Sequence, residues 1–230
     1  MLACTVYTLV SQARVLPKYR NALVLSSMVT FIAAYHYWRI FNSFNESSVD
    51  GGVTIGNAKG AFNEGYRYVD WILTVPLLLV EVIAVLALAK AAAKSLIARL
   101  VPASAAMIAL GYPGEIATDT NSKVIWGVLS TIPFIYILYV LFVELGKSLD
   151  RQPEGVAATV GRLRLLLIAT WGVYPIAYIF NIVGDATAES FVIVQVGYTL
   201  ADVLAKCVFG LTILKIARMK SMAEGMKDDH

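Results

Sequence analysis

Long apolar runs limit the folds open to this chain more than any other feature of the sequence. A run of about 20 apolar residues is long enough to cross a bilayer as a helix. Only helices and closed barrels can cross, because lipid offers the backbone no hydrogen-bond partner. The runs lack the in–out alternation of barrel strands, so we predict seven transmembrane helices. They lie near residues 1–14, 20–43, 61–90, 95–112, 122–146, 157–182 and 189–219.

Composition supports a membrane protein. Of the 230 residues, 58% are hydrophobic and only 15% charged, less charge than a soluble domain of this size carries. We predict one membrane domain over residues 1–230. The residues before Arg14 would rise only about 20 Å as a helix, so helix 1 is expected to be truncated at its outer end. Cys4 and Cys207 lie in apolar runs and offer no disulfide framework.

The longest polar connection, residues 42–60, joins helices 2 and 3. Residues 48–49 and 53–55 are rich in strand formers and flank Gly51 and Gly52. This pattern predicts a short β-hairpin. The predicted fold class is therefore an all-α membrane protein with a short β-hairpin in the 2–3 loop.

The basic residues are distributed unequally between the two ends of the predicted bundle. Cytoplasmic connections of membrane proteins carry an excess of Lys and Arg. We therefore expect the N-terminus outside and the C-terminus in the cytoplasm, which requires an odd number of helices. One side carries Arg14, Lys18, Arg20, Lys90, Lys94, Arg99, Lys147, Arg151, Arg162, Arg164, Lys215, Arg218, Lys220 and Lys227, and the other only Arg39, Lys59, Arg67 and Lys123.

Four ionisable residues lie at membrane depth, namely Asp70, Glu81, Asp202 and Lys206. Charge is costly there, so each is a candidate functional residue. Lys206 is near the middle of helix 7, and Asp202 is four residues earlier on the same face. The two can form a buried ion pair that fixes packing. Alternatively, Lys206 is a Schiff-base lysine, because a desolvated lysine condenses readily with an aldehyde.

Arg67, Asp70, Thr74, Leu78 and Glu81 recur at helical spacing on helix 3 and form one stripe. Glu81 lies about 16 Å further along the helix than Asp70, toward the cytoplasm. A carboxyl group on each side of a central base is the arrangement that directional proton transfer requires. Asp70 can accept a proton outward and Arg67 can hold it ionised, while the apolar surroundings of Glu81 favour its protonated form.

Large aromatic residues lie at the same level. Trp71 is on helix 3, and Trp171, Tyr174 and Tyr178 recur at helical spacing on helix 6. Such rings are often simply core, but beside a central lysine they can also form the walls of a site for a flat polyene. Pro175 is expected to kink helix 6.

The order and spacing of several segments resemble the microbial rhodopsins, and among them the proton pumps similar to proteorhodopsin and xanthorhodopsin. The resemblance covers essentially the whole chain after helix 1. The matching segments are YHYWRIFNS (35–43), YRYVDWILTVPLLLVE (66–81), MIALGYPGE (107–115), WGVLSTIPFIYILYVLF (126–142), WGVYPIAY (171–178) and GYTLADVLAKCVFG (197–210).

The resemblance implies all-trans retinal bound to Lys206 as a protonated Schiff base. It implies that Asp70 is the primary counter-ion and proton acceptor and Asp202 the second counter-ion. Arg67 resembles the arginine that gates the outward path, and Glu81 occupies the position of the cytoplasmic proton donor. The retinal-pocket positions fall on Trp71, Thr74, Leu78, Met107, Gly111, Ser130, Phe134, Trp171, Tyr174 and Pro175.

Two further positions have both a structural and a functional interpretation. A lone histidine such as His36 is usually a hydrogen-bonded core residue, but in the resembling proteins the matching histidine bonds to the counter-ion aspartate. Coupling of this kind would make His36 and Asp70 titrate together. Gly127 can simply ease helix packing. In xanthorhodopsin-like proteins a glycine here opens a window for a hydroxylated carotenoid antenna.

Asp70, Thr74 and Glu81 distinguish this chain from the chloride and sodium pumps of the resembling family. We therefore predict a light-driven outward proton pump, an ion transporter and not an enzyme, in a bacterial inner membrane. The alternatives are a sensory photoreceptor that signals through a partner, and an unrelated seven-helix protein with a structural Lys206–Asp202 pair. The resemblance also implies a homo-oligomer, pentamer or trimer, surrounded by lipid and without a nucleic-acid partner.

Overall fold

The computed structural model describes residues 1–49, 52–54, 61–153, 155–183 and 187–226. Within them the chain forms seven helices, as predicted, numbered here α1 to α7. Four of them are interrupted or extended by turns that are not α-helical. Their bounds are α1 Leu2–Val10 with a 3₁₀ turn Ser11–Arg14, α2 Pro17–Ser47, α3 Gly65–Leu86, α4 Lys90–Glu115, α5 Thr120–Tyr139 with a π turn Val140–Glu144 and a 3₁₀ turn Gly146–Arg151, α6 Val156–Trp171 and Val173–Val183, and α7 Ala188–Val203, a π turn Leu204–Val208 and Phe209–Ala223.

Two very short strands follow α2. Strand β1 (Ser48–Val49) pairs antiparallel with β2 (Gly52–Val53), with Ser48 opposite Val53 and Val49 opposite Gly52. Gly51, in the predicted turn, lies outside the described residues, and so do the predicted end charges Lys59 and Lys227.

Among the described residues, four helical stretches are each long and apolar enough to cross a membrane. These are Gly65–Leu86, Lys90–Glu115, Thr120–Arg151 and Val156–Phe180. The other three helices, α1, α2 and α7, do not combine this length with this apolar character, each for a visible reason. The α-helical part of α1 has 9 residues, α2 buries polar side chains such as Ser26 and Thr30 on its inner face, and a π turn divides α7. Polar groups thus face the bundle interior.

Several helix ends differ from the predicted bounds by three to five residues, and two of these differences have a local cause. Helix α3 ends at Leu86, not at residue 90, because Ala87 adopts a left-handed conformation with φ 48°. Lys220 Nζ of α7 donates a hydrogen bond of 2.6 Å to the Leu86 carbonyl freed at that end. Helix α4 begins at Lys90, not at residue 95, because Ala and Lys are strong helix formers, although Lys90 and Lys94 make this stretch less apolar than the rest of the helix.

Helices α6 and α7 are not continuous. The break in α6 falls at Gly172, one turn before Pro175, which has no N–H to donate to the preceding turn. This agrees with the predicted kink. The π turn in α7 surrounds Lys206 and has no counterpart in the sequence prediction. A π turn inserts one residue into the helical repeat and so changes the direction in which Lys206 points.

Close packing of α2 against α7 generates a prediction about Gly210. A Cβ atom at this position would come closer to Ser26 Oγ than real Cβ atoms do. Ser26 Oγ would have to rotate away from the Glu81 carboxyl, to which it donates a hydrogen bond of 2.5 Å. Leaving buried polar groups unpaired costs about 1–3 kcal/mol, and Gly210→Ala should lower unfolding stability by that order.

The measurement is denaturant unfolding in detergent, followed by circular dichroism. Gly161→Ala on α6 is the matched control, because a Cβ there meets nothing within 4 Å. That variant should be neutral or slightly more stable, since alanine is the better helix former. Equal stability of Gly210→Ala and the unaltered protein would contradict the described α2–α7 contact.

Candidate functional site

Lys206 occupies the centre of the bundle, where its side chain is 1% exposed. Its Nζ lies 2.9 Å from Asp70 Oδ2 on α3 and 2.9 Å from Asp202 Oδ1 on α7. A buried ammonium is tolerated only with paired, hydrogen-bonded counter-charges. The predicted Lys206–Asp202 pair is thus part of a three-membered cluster that joins two helices.

The two carboxylates are held very differently. Asp202 accepts hydrogen bonds from Tyr37 Oη at 2.5 Å, from Trp71 Nε1 at 3.1 Å and from the Tyr174 hydroxyl. Asp70 Oδ1, in contrast, is buried and accepts no hydrogen bond from the described residues. Hydrogen bonds to a carboxylate favour its charged form. Asp70 is therefore the carboxylate better suited to accept a proton from Lys206 Nζ.

His36 lies beside Asp70, with Nδ1 3.9 Å from Asp70 Oδ1. That distance is too long for a hydrogen bond. Nδ1 instead donates a hydrogen bond of 2.9 Å to the carbonyl of Ile32, one turn earlier in α2. The structure brings the predicted pair together, but the direct hydrogen bond is absent from it.

Arg67 is buried on the outer side of the cluster. It was expected to hold Asp70 ionised, but its Nη1 pairs with Asp202 at 3.8 Å. Its guanidinium donates hydrogen bonds of 2.9 Å to Tyr37 Oη and 2.8 Å to Gln195 Oε1. These partners on α2 and α7 draw the guanidinium away from Asp70, although both residues lie on α3.

Glu81 lies on the other side of Lys206, fully buried among apolar residues of α3 such as Val82 and Ile83. Ser26 Oγ donates a hydrogen bond of 2.5 Å to its Oε1, while Oε2 has no partner among the described residues. A carboxyl group in such surroundings is favoured in its protonated form. Ser26 was not singled out in the sequence, because a serine in an apolar helix gives no signal of its distant partner.

A cavity of about 350 Å³ adjoins Lys206. Its volume falls in the range of small-molecule sites, and its wall is largely apolar and aromatic, so the residues fit a polyene bound at Lys206. Most predicted pocket residues line it. They are Trp71, Leu78, Met107, Gly111, Gly127, Ser130, Phe134, Trp171, Tyr174 and Pro175.

Thr74 is the exception among the predicted pocket positions. It is buried, but it does not line the cavity. Its Oγ1 donates a hydrogen bond of 2.8 Å to the backbone carbonyl of Asp70, one turn earlier on α3. Helical spacing placed it on the right stripe but could not predict this bond, which a threonine hydroxyl commonly makes within its own helix.

Gly127 makes room for an aromatic ring. A Cβ atom there would lie 2.7 Å from Tyr178 Cε1. Tyr178 lines the same cavity, and its hydroxyl donates a hydrogen bond of 2.6 Å to the Lys123 carbonyl. The space that glycine leaves on α5 is therefore covered by a tyrosine from α6.

Tyr37 and Gln195 were missed by the sequence reasoning. Tyr37 Oη joins Asp202 to Arg67, and Gln195 carries the chain of hydrogen bonds from Arg67 to Glu64. Gln195 is seven residues, or about two helical turns, before Asp202, so a search for polar residues on the inner face of α7 would have found it. Tyr37 stood beside His36 among several aromatic residues, without a distinguishing pattern.

Seven helices around a buried lysine, paired with two carboxylates at the end of an apolar cavity, define the class of retinal-binding membrane proteins. The family model described as "Bacteriorhodopsin-like protein" matches residues 1–219. The chain belongs to this family, within the proton-pump branch of the microbial rhodopsins. It is thus a multi-pass membrane protein of a family of light-driven pumps, and membership implies retinal bound to a lysine.

Individual proteins to which the chain is similar are also microbial rhodopsins. Green-light absorbing proteorhodopsin of Gamma-proteobacterium EBAC31A08 is 31% identical over 225 residues, covering 96% of this chain and 83% of the relative. The solved structure of thermophilic rhodopsin is 45% identical, with a TM-score of 0.91 over 98% of this chain and 90% of that one. Xanthorhodopsin, described as a light-driven ion pump with dual chromophore, is 45% identical, with a TM-score of 0.89 and the same coverage.

The unequal environments of Asp70 and Asp202 predict which carboxylate controls colour. In the retinal-loaded protein, mild acid should shift the visible band to longer wavelength as Asp70 is protonated, because loss of its charge weakens the field that stabilises the cationic nitrogen. Asp70→Asn should be red-shifted at neutral pH and lack the acid transition. Spectra recorded across a pH titration test this.

Glu81→Gln is the matched control, since Glu81 is also buried on α3 but makes no ion pair with Lys206 among the described residues. It should keep the acid transition. Persistence of that transition in Asp70→Asn would mean that another group, such as Asp202, is the one that titrates.

Proposed function

We propose that the chain is a light-driven outward proton pump that holds all-trans retinal on Lys206 as a Schiff base. The observation that carries the proposal is the position of Lys206 Nζ, 2.9 Å from Asp70 on one side of the cavity. Glu81 is the second carboxyl group on the same helix, eleven residues further and buried with Ser26. A base between an acceptor and a donor supports directional transfer.

The acceptor side works through unequal hydrogen bonding. When bound, retinal supplies absorption of light and an isomerisation that moves the nitrogen bearing the proton. Asp70 accepts this proton, because it has the fewer hydrogen-bond donors. Asp202 stays ionised under its three donors and balances the charge of Arg67 at 3.8 Å.

The donor side depends on the apolar surroundings of Glu81. Glu81 holds its proton in an apolar layer, and Ser26 fixes the direction of the carboxyl group. Transfer from Glu81 back to the nitrogen of Lys206 resets the site, and Glu81 regains a proton from the opposite side to the one that received the first. A sensory photoreceptor has no need of such a donor, so Glu81 favours transport.

The proposal includes a bacterial inner membrane, with the N-terminus outside and the C-terminus in the cytoplasm. The excess of Lys and Arg at one end of the bundle supports this orientation. We propose a homo-oligomer, pentamer or trimer, as the assembled state. Native mass spectrometry in detergent distinguishes these from a monomer.

Direction and mechanism are tested together in bacterial cells that express the protein with added retinal. Illumination should acidify the medium, and a protonophore should abolish the signal. Glu81→Gln should slow recovery of the photocycle by about 100-fold, because a positioned proton donor contributes at least that factor. A pH electrode and flash spectroscopy are the measurements.

Lys206→Ala is the control for the chromophore and should lose both the visible band and the acidification. Alkalinisation on illumination would reverse the proposed direction. A normal photocycle in Glu81→Gln would remove Glu81 as the donor, and a stable light cycle without any proton transport would favour the sensory alternative.

We propose further that a hydroxylated carotenoid serves as an antenna beside Gly127. The cavity that adjoins Lys206 is also lined by Val128 and Ile179, which are 59% and 55% exposed on the outer surface of α5 and α6. It therefore reaches the lipid-facing surface of the bundle next to Gly127 and Tyr178. A second pigment at this opening would lie close enough to retinal for energy transfer.

The antenna is tested by mixing the purified protein with a hydroxylated carotenoid and recording the excitation spectrum of retinal fluorescence. Carotenoid bands should appear in this spectrum and disappear in Gly127→Trp, because an indole would fill the opening that Tyr178 already occupies in part. The variant should keep its own retinal band. Absence of carotenoid bands with the unaltered protein would refute the antenna.

A further inference from the structure

A half-buried glutamate outside the central cluster is connected to it by hydrogen bonds. Glu64 immediately precedes α3, at the end opposite to Glu81. Its Oε1 accepts a hydrogen bond of 2.8 Å from Gln195 Nε2, and Gln195 Oε1 accepts one of 2.8 Å from Arg67. Arg67 in turn contacts Tyr37 and Asp202. The chain of contacts thus runs from the lysine site to Glu64.

This series of hydrogen-bonded side chains couples Glu64 electrostatically to the lysine site, but it cannot relay a proton. The guanidinium of Arg67 stays protonated, and the amide of Gln195 does not titrate. A proton that appears outside must therefore come from a titratable group beyond these two residues. Glu64 is that group at the end of the chain.

The environment of Glu64 favours a bound proton in the dark. Its Oε2 is buried and accepts no hydrogen bond from the described residues. Burial and, less strongly, the charge of Glu115 raise the pKa of the Glu64 carboxyl, Arg67 and Gln195 lower it, and the net result is a pKa of about 8. A raised pKa means that the group is protonated below about pH 8, so Glu64 holds a proton at neutral pH.

We propose that Glu64 is the group that releases the proton to the outer side during each light cycle. This rests on the proposed pump function and names a residue for its last step. The Glu64 carboxyl loses its proton to outer water after Asp70 has accepted one from the nitrogen of Lys206. The proton on Asp70 later restores Glu64 by way of water, since neither Arg67 nor Gln195 can carry it, so that one proton leaves per cycle and both carboxyl groups return to their starting states.

Electrostatics gives the reason for the coupling. Asp70 is six residues from Glu64 along α3, a rise of about 9 Å. Transfer of the proton from Lys206 Nζ, 2.9 Å away, moves it from α7 to α3 and removes the negative charge of Asp70. Loss of a negative charge on the helix that Glu64 precedes favours the ionised form of the Glu64 carboxyl group. Arg67, held between the two sites, keeps that carboxylate stable once formed.

The other ionisable groups around Glu64 come from the neighbouring helices. Glu115, at the end of α4, acts on it through charge and accepts a hydrogen bond of 3.3 Å from Tyr68 Oη. Tyr198 of α7 is also within its electrostatic reach. Glu115 is a competing release group, but Glu64 is the carboxyl group that Gln195 connects to Arg67.

The test compares Glu64→Gln with the unaltered protein, both loaded with retinal. The light-minus-dark infrared spectrum should contain a carboxyl band that marks loss of a proton, and this band should disappear in Glu64→Gln. A pH-sensitive dye should show proton appearance slowed by about 100-fold, the lower end of what a positioned proton-transfer group contributes. Glu64→Asp, which keeps the carboxyl group, should recover part of the rate.

Glu189→Gln is the matched control, because Glu189 is an exposed carboxylate at the first turn of α7, on the same outer side. This variant should leave the infrared carboxyl band and the rate of proton appearance unchanged. Loss of the band in Glu115→Gln and not in Glu64→Gln would assign release to Glu115 and overturn the proposal. If proton appearance in Glu64→Gln is as fast as in the unaltered protein and the medium still acidifies, Glu64 is not the release group. Absence of acidification with the unaltered protein would instead refute the proposed pump function.

Discussion

Charge neutrality at the bundle centre is the constraint on which the rest of the structure depends. Two cations, Lys206 and Arg67, are buried together with two anions, Asp70 and Asp202. Removing any one of them would leave an uncompensated charge in a low-dielectric interior, which costs several kcal/mol. The residues that surround the cluster satisfy the remaining hydrogen bonds of Asp202 and Arg67, and they come from α2, α3, α6 and α7. A single electrostatic requirement therefore ties four helices together and places an apolar cavity against the lysine.

The two halves of the bundle differ in polarity, and this difference gives the site a direction. Outward of Lys206, hydrogen bonds continue through Arg67 and Gln195 to Glu64. On the other side, Glu81 has Ser26 as its hydrogen-bond partner within an apolar layer. A proton that leaves the nitrogen therefore finds a connected series of polar groups on the outer side, and only the Glu81–Ser26 pair on the other side. Return from the dry side requires that a protonated carboxyl group already be there, which is the part that Glu81 plays in the proposed cycle.

The sequence predicted the helices and the depth of the four central ionisable groups, because both follow from apolar length and helical spacing. It could not predict the contacts between helices. Arg67 was expected to pair with Asp70, yet Tyr37 and Gln195 from other helices direct it to Asp202. Thr74 was assigned to the pocket, but its hydroxyl bonds to the Asp70 carbonyl within the same helix and the residue does not line the cavity. The identity of the aldehyde came from the resemblance alone, since no spacing of residues specifies retinal.

The π turn at Lys206 has a consequence for how α7 can change over time. Because one extra residue is inserted between Leu204 and Val208, the stretches before and after it follow separate helical registers. The outer stretch carries Asp202 and Gln195, and the inner stretch packs Gly210 against Ser26. Substitutions that retune one stretch need not rotate the other. Lys206 thus lies between two helical stretches whose orientations are set separately. Substitutions can therefore change the proton-release side without changing the proton-uptake side, although both sides serve one chromophore.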